Sequence, residues 1–596
     1  MNLFKQIIFV LIVGLTSSVS YAASGERFVS VAFHDVSDDP SEAQGLTVST
    51  DRLIAFFDYL RGDGWNPIGL DDLARARRGE RPLPPKAILV SFDHGYQSLY
   101  SRVFPLVLTY RIPIVASLVG EWVDAPPGAE VPFQGQRANR DKFISWDQAR
   151  EMQASGLVEF ASASYAQHRE VLANPQGNTM PALYAANYDP RSQVYESIES
   201  WRIRIREDFR RVNALLVREL GRAPRAIAWP DGHYSLEALS IARKEGYEFS
   251  LTLNDEPGNT SQPLEIGRAP PSGNLSLADW VTDLRFRNRL PALRRLVRVD
   301  PEDLWSDDTE EFNKRLGLVI ERLRTLGVTD VIINAVHAQR SHGELTGWFP
   351  SSVLPIHTDA LNRIAWQLHS RAGVRSIIDT RLALLRQRLS FEQIVQFHAE
   401  LARMVPFDGL LFAWPTAGTP DGQHSIKPLA QHHVPSAIDH SDLDGPANLR
   451  HARRSLELMR LDGLHRLALA SFRAAETFRP TLSLATLHQP GADSPPNLFQ
   501  DLQLFAVVPD LLAIRELSAG MVKGGHFASS SARRRIGLLI ESQGKLTAST
   551  LAPLFRAFQV AGGSAIGWSP DLFLENSPNA DEAAPTVSSA RFPSRY

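Results

Sequence analysis

Short β-branched runs alternate with longer amphipathic stretches through most of the chain, and few folds accommodate that rhythm. The runs Arg27–Phe33, Ala87–Phe92, Pro113–Val119, Leu157–Ala161, Arg225–Trp229 and Glu248–Leu253 read as buried strands, and the segments Thr50–Leu60 and Tyr195–Leu220 carry apolar residues at the three- and four-residue spacing of crossover helices. A helix between successive strands makes the strands parallel, so the class is α/β. The rhythm restarts after the basic stretch Asn288–Arg295, of which 289–295 is read as a linker. Eight further strand candidates follow: Leu296–Val299, Asp330–Val336, Val374–Asp379, Gly409–Phe412, Leu482–Leu487, Leu504–Val508, Ile536–Glu541 and Ser564–Trp568. Eight strands separated by helices predict a closed, TIM-like (β/α)₈ barrel over 296–575. The polar span Thr416–Pro446 is too long for an ordinary connection and is read as an inserted loop over the barrel mouth. The tail 576–596, rich in Pro, Ala and Ser, is expected to be disordered.

Charge and cysteine content narrow the function. A formal net charge of −3 without a long Lys/Arg run leaves no counterion-release footprint, so nucleic acid is not an expected partner. The chain has no cysteine, which excludes disulfides, thiolate metal sites and a lipid-modified N-terminal cysteine. Lys5, the apolar run Ile7–Leu15 and the small residues Thr16–Ala23 read as a signal peptide cleaved after Ala22. A membrane anchor needs about 18–20 apolar residues, more than this run offers. The mature protein is therefore expected in the periplasm or outside the cell, and not as a lipoprotein.

In parallel α/β folds the polar residues that end a buried strand face the site. Four places qualify in the first domain: His34-Asp35 after Phe33, Asp93-His94-Gly95 after Phe92, the stretch Ser162–His168, and Trp229-Pro230-Asp231-Gly232. A carboxylate and a histidine on one strand end, with a second histidine from a later strand, can hold a divalent metal beside a base for its water, the layout of metal-assisted hydrolysis. The same spacing also suits sugar or metal binding without turnover, and His168 can equally be a histidine with one backbone hydrogen bond.

The segments Phe33-His34-Asp35-Val36, Leu83–Asp93, Ser155–Glu159, Leu172–Asn178 and Trp229-Pro230-x-Gly232 together resemble the periplasmic poly-β-1,6-N-acetyl-D-glucosamine N-deacetylase family of biofilm export systems. The resemblance continues through Arg298–Asp300, Asn362–Leu368, Pro406–Phe412 and Ile566–Asp571. It implies a deformed (β/α) polysaccharide-deacetylase barrel over 27–288, followed by a glycoside-hydrolase-like barrel that binds, and in some members cleaves, the partly deacetylated polymer. The implied mechanism has a metal-bound water attacking an acetamide carbonyl, with an aspartate as base.

The departures from that pattern carry as much information. The family's Phe-Asp-Asp-Gly is Phe92-Asp93-His94-Gly95 here, which keeps the catalytic base as Asp93 and replaces the metal-binding aspartate by His94. The family's histidine pair corresponds to Ala163 and His168. His94 and His168 are thus the remaining metal candidates for zinc, nickel or cobalt, held weakly or not at all unless Asp93, His34 or His233 moves in. In the second barrel Ala413-Trp414-Pro415 stands where the family has His-Asp-Asp, so carboxylates expected to flank a glycosidic bond are gone. His34, Asp35, Trp229, Pro230, Asp300, Glu302 and Trp414 are the substrate-binding candidates. The expected function is binding or processing of poly-N-acetylglucosamine-type exopolysaccharide, or its partly deacetylated form, during export. The expected deacetylase and glycosidase chemistry is weakened or lost. An active deacetylase with a rebuilt histidine-containing metal site is the alternative, and a non-catalytic scaffold for outer-membrane export components a second.

Overall fold

The computed structural model describes residues 27–39, 46–133, 135–254, 257–260, 264–269, 276–284, 294–338, 345–413, 463–488, 503–508, 536–541, 546–560 and 565–587. The expected signal peptide, most of the 289–295 linker, the 416–446 insertion and Trp414 lie outside them. The chain divides into two compact units. One comprises Met1–His168, Arg206–His233 and Ala242–Arg287, and the other Arg169–Ile205, Tyr234–Ile241 and Asn288–Tyr596.

In the first unit the parallel strands run in the order Phe249–Leu251, Ala226–Ala228, Val158–Ser162, Ile114–Leu118, Ala87–Phe92 and Arg27–Phe33, and Gly258–Asn259 closes the edge in antiparallel fashion. Every residue of Ala87–Phe92 and Ile114–Leu118 is buried, because crossover helices cover both faces of a parallel sheet. The helix Thr50–Gly62 buries Leu53, Phe56, Phe57 and Leu60 at helical spacing, and Ser49 caps its N-terminus by accepting from the Arg52 amide. The ring of Phe33 stacks on Phe92 at 5.1 Å between centroids, which fixes the two strand ends that carry His34 and Asp93.

The second unit contains the closed barrel. Its strands are Arg294–Arg298, Asp330–Asn334, Arg375–Asp379, Gly409–Ala413, Ser483–His488, Gln503–Val508, Ile536–Glu541 and Ala565–Ser569, each pairing in parallel with the next and the last with the first. All eight coincide with the runs read from the sequence. Leu296, Ile332, Ile377, Leu411 and Leu539 fill an inner layer, as in a packed barrel core. Gly567 is required there, since a Cβ would collide with the carbonyl of Leu296. Arg322 donates from both Nε and Nη2 to Asp571, at 2.8 and 2.9 Å, and the Trp568 indole donates to the same carboxylate. The Gly567-Trp568-Ser569-Pro570-Asp571 motif therefore anchors the last strand to the helix Thr309–Leu326.

Two features differ from the sequence reading. The segments Arg169–Ile205 and Tyr234–Ile241, expected within a continuous 27–288 domain, group with the second unit. The physical reason is a buried amide network, in which Asn174 Nδ2 donates to Asn178 and Asn362 at 2.9 Å each, Asn362 donates to the Met404 carbonyl, and Arg363 donates to the Gln176 carbonyl. The tail also differs, because Ala580–Val587 is a helix with Ala583 and Val587 fully buried. Asn579 caps it by accepting from the amides of Asp581 and Glu582, and those two acids suit a first turn.

Candidate functional site

The strands Arg27–Phe33 and Ala87–Phe92 pair with Phe33 opposite Phe92, and the Asp93 amide donates to the Phe33 carbonyl at 2.8 Å. His34 and Asp93 therefore emerge side by side at the C-terminal edge of the sheet. The Asp93 carboxylate accepts at Oδ1 from Ser117 Oγ at 3.0 Å and from Arg268 Nη1 at 2.8 Å. Arg268 is fully buried and also donates to Ser91 Oγ and the Thr252 carbonyl, so the ends of the strands Ala87–Phe92 and Phe249–Leu251 converge on its guanidinium. Burial pushes the Asp93 carboxyl up, but the charge and hydrogen bond of Arg268 outweigh it and hold the group well below the usual carboxylate range. Asp93 is thus an anion whose charge is already matched by a cation. A general base works best with a pKa near the operating pH, so this pairing makes Asp93 a weak base.

His94 follows with φ 78°, a left-handed conformation in which Asp, Asn and His are enriched. Gly95 is also left-handed, at φ 68°, and a Cβ there would strike Leu118. His94 Nε2 lies 2.9 Å from His168 Nε2. The rings of His34 and His94 have centroids 5.1 Å apart, and Trp122 packs against both His94 and His168. Burial lowers the pKa of His34, and that of His94 falls well below the ordinary value, through burial first and then the neighbouring histidines. Among the described residues, His94 and His34 each keep a buried Nδ1 without a hydrogen-bond partner.

His168 is delivered by the loop after Val158–Ser162. Asp208, on the helix Ile198–Leu220, accepts from the Tyr165 amide at 2.8 Å, the Ala166 amide at 2.7 Å and Gln167 Nε2 at 3.0 Å. Sequence reasoning did not single out Asp208. Its signal was a carboxylate on the same helical face as Trp201, Ile205 and Val212. Asp231, at φ 51°, brings Oδ1 to 3.8 Å from His168 Nε2.

The remaining first-unit candidates separate by burial. Asp35 accepts from its own loop, from the Val36 amide at 2.8 Å and Ser98 Oγ at 2.6 Å. Trp229 is buried, packs near Phe209 and donates from Nε1 to Ser250 Oγ at 2.6 Å, and Pro230 is buried beside it. The Trp-Pro pair, expected to bind substrate, is buried and shapes the loop from inside.

The residues present do not fit the divalent metal that the resemblance implies. Such a site takes three protein ligands and an open position, and among the described residues no group of three or more His, Cys, Asp or Glu side chains is arranged to hold an ion. Ala163 is buried with its amide bonded to the Leu118 carbonyl and offers no lone pair. A ligating histidine also normally ties its second nitrogen to an acceptor, which His94 Nδ1 does not do.

In the second unit a polar cluster occupies the C-terminal ends of the first three barrel strands. Arg298 donates to Asn334 Oδ1 at 2.7 Å and to Asp379 Oδ2 at 2.8 Å, while Asn334 donates to Asp300 Oδ1. His337 Nδ1 stands 3.0 Å from Glu302 Oε1, and the rings of His337 and His357 are 4.5 Å apart beside Trp348. Burial raises the pKa of Asp300, helped by Glu302 and Asp379 and opposed by Arg298 and Arg381. The structure thus brings Asp300 and Glu302 into one mouth and adds Arg298, Asn334, Asp379, His337 and His357, none of them among the substrate-binding candidates read from the sequence.

Comparisons with known proteins place these units. Residues 80–250 match a polysaccharide deacetylase model, and residues 298–385 match one described as hypothetical glycosyl hydrolase family 13. A poly-beta-1,6-N-acetyl-D-glucosamine N-deacetylase of Escherichia coli K12 is 30% identical over 393 residues, covering 64% of this chain and 58% of that protein. The chain therefore spans somewhat more than half of that relative's length. A protein of the same name from Staphylococcus epidermidis is 21% identical over 173 residues, covering 29% of this chain and 50% of that one. The solved deacetylase domain from Bordetella bronchiseptica is 35% identical with a TM-score of 0.38, covering 41% of this chain and 96% of that one. The chain carries a polysaccharide deacetylase domain followed by a glycosyl-hydrolase-like domain, and it is similar to proteins named poly-beta-1,6-N-acetyl-D-glucosamine N-deacetylase.

Proposed function

We propose that the protein binds poly-β-1,6-N-acetylglucosamine, or its partly deacetylated form, in the periplasm and handles it during biofilm polymer modification and export, with its deacetylase and glycosidase chemistry weakened or lost. The observation that carries this reading is the altered strand end Asp93-His94. It keeps a carboxylate in the deacetylase position but matches its charge with Arg268, and it puts an imidazole in contact with His168. His34, beside Asp93 and half-buried, supplies an imidazole that can bond an acetamide or a hydroxyl. In the second unit Asp300, Glu302 and Asp379 present carboxylates at the end of a barrel, where sugar-binding side chains belong. Glycosyl transfer needs an acid and a base or nucleophile on either side of the bond. The substitution at Ala413-Trp414-Pro415 removes two carboxylates that the family places there.

The test is amine release from a β-1,6-linked N-acetylglucosamine oligomer by purified protein supplied with zinc, cobalt or nickel, beside a chelated control. The same oligomer, acetylated and deacetylated, is then used in a binding titration. Binding with no chelator-sensitive release is the expected result. Chelator-sensitive release would establish the alternative of a rebuilt histidine metal site, for which the proximity of the His34 and His94 rings speaks. Failure to bind either oligomer would leave the scaffold for outer-membrane export components.

A further inference from the structure

A hydrolytic metal site of this kind needs three lone pairs converging on one point, and each must be free of other bonds. Two of the three positions that the family uses are changed in this chain, and their surroundings show what the changes do. At position 163 a methyl group is packed into the core, with 2% of the residue exposed. The Ala163 amide is held on the Leu118 carbonyl at 2.8 Å, so the backbone there continues the pairing of the neighbouring strands and cannot swing another donor inward. At position 94 the backbone is fixed in a left-handed turn by Gly95 behind it and by the adjoining strand. The direction of its Cα–Cβ bond is therefore set by the turn and not by the residue chosen.

An imidazole reaches further from Cβ than a carboxylate does. In the same direction, a carboxylate would stop short and leave room for an ion between itself and His168, whereas the ring of His94 arrives at His168 with its Nε2 2.9 Å from the other Nε2, which is hydrogen-bonding distance. Trp122 closes the far side against both rings. We infer that the first unit holds no catalytic divalent metal, because the imidazole of His94 stands in the place of the ion and is bonded to His168, the one remaining ligand. The pair uses its Nε2 atoms on each other, and Asp93 Oδ1 is held by Arg268 and Ser117. Polymer binding is a separate property, read by a separate titration.

The experiment is a zinc and nickel titration by calorimetry of the full chain, stripped with chelator and dialysed, together with metal content by elemental analysis and the thermal shift on adding metal. The unaltered protein should bind no metal that depends on His168. The double substitution His94→Asp, Ala163→His should take up about one metal per chain, with a rise of several degrees in Tm on adding zinc. A histidine at 163 has to enter a packed position, so His94→Asp alone is the second variant. It shortens the side chain at a backbone conformation that aspartate favours, and it should bind zinc more tightly than the unaltered protein. If the unaltered protein takes up about one zinc per chain and His168→Ala loses it, the inference is wrong. If neither variant binds more zinc than the unaltered protein, the cause assigned to His94 is wrong, even where the unaltered protein is metal-free.

Discussion

Replacing Arg268 by methionine removes the cation that holds Asp93 and leaves its other neighbours in place. Both partners of the pair are buried, with side chains 0% and 6% exposed. Removing one member of such a pair leaves an uncompensated charge, at a cost of about 3–5 kcal/mol. For a unit of this size that corresponds to roughly 6–20 °C in the unfolding transition of the first unit. The loss depends on pH in a defined direction. The other groups that face Asp93 are His34 and His94, both with lowered pKa and so neutral near pH 7. With Arg268 present, the folded pKa of Asp93 lies below the unfolded one, so the pair contributes stability above the unfolded pKa and that contribution fades as pH falls through the folded value. Without Arg268 only burial remains as a large influence, the folded pKa rises above the unfolded one, and the sign reverses. The difference between Arg268→Met and the parent should therefore be greatest near pH 7 and shrink steadily below about pH 4. Urea unfolding followed by circular dichroism at several pH values measures it. Adding Asp93→Asn to Arg268→Met should restore most of the loss at pH 7, because no charge is then left buried. A difference below about 1 kcal/mol at pH 7, or one of constant size down to pH 3, would refute the buried-pair argument.

Asp208→Asn should weaken the three bonds that hold the loop 165–167, at about 1.5–3 kcal/mol for a charged acceptor, and speed amide exchange at Tyr165 and Ala166 above that of the rest of the unit. Trp229→Phe removes the bond to Ser250 and should lower the stability of the first unit by about 1 kcal/mol while leaving oligomer affinity unchanged, whereas His34→Ala should weaken oligomer binding with little effect on Tm. In the second unit the Asp359 carboxyl is pushed up to about 6 by burial, against the hydrogen bond that it accepts from Tyr195. A carboxyl with a raised folded pKa favours folding when protonated, so stability of the second unit should fall as pH rises from about 4 to 7. Asp359→Asn, which keeps an acceptor for Tyr195, should flatten that dependence and raise stability at pH 7 by up to about 3 kcal/mol, and a curve unchanged by the substitution would show that Asp359 is not its source.

The architecture was legible because a parallel strand buried on both faces writes a continuous apolar run, and eight such runs after Arg295 have one common closure. What the sequence hid has identifiable causes. The segment Arg169–Ile205 looks like part of the first unit since no composition change marks its ends, and the partner that claims it, Asn362, lies far along the chain. The motifs Leu172–Asn178 and Asn362–Leu368, both noticed in the sequence, meet through Asn174 and Asn362, a pairing that sequence distance conceals. The helix Ala580–Val587 was masked by its Pro and Ser neighbours, although Asn579 followed by Ala580-Asp581-Glu582 is a capping signature.

The site was half-read for a related reason. The rule that polar residues ending a buried strand face the site found His34, Asp93 and His94, and it would have found Asn334 after Ile333 and Asp379 after Ile378 in the barrel had it been applied there with equal weight. It does not foresee the burial of Trp229 and Pro230, where a short strand is followed by a turn that folds back into the core and Ser250 on the neighbouring strand draws the indole inward. The rule also gives position without state. That His94 and His168 face one another follows from their strand ends, but that Asp93 is charge-matched depends on Arg268, a buried arginine that reaches the site from a connection 175 residues away and that no local pattern near Asp93 announces. The identity of a strand-end residue tells what chemistry is available. Which of that chemistry is already spent inside the protein is decided by partners such as Arg268 and Asp208, and a search of buried charged residues on other elements is what reveals them.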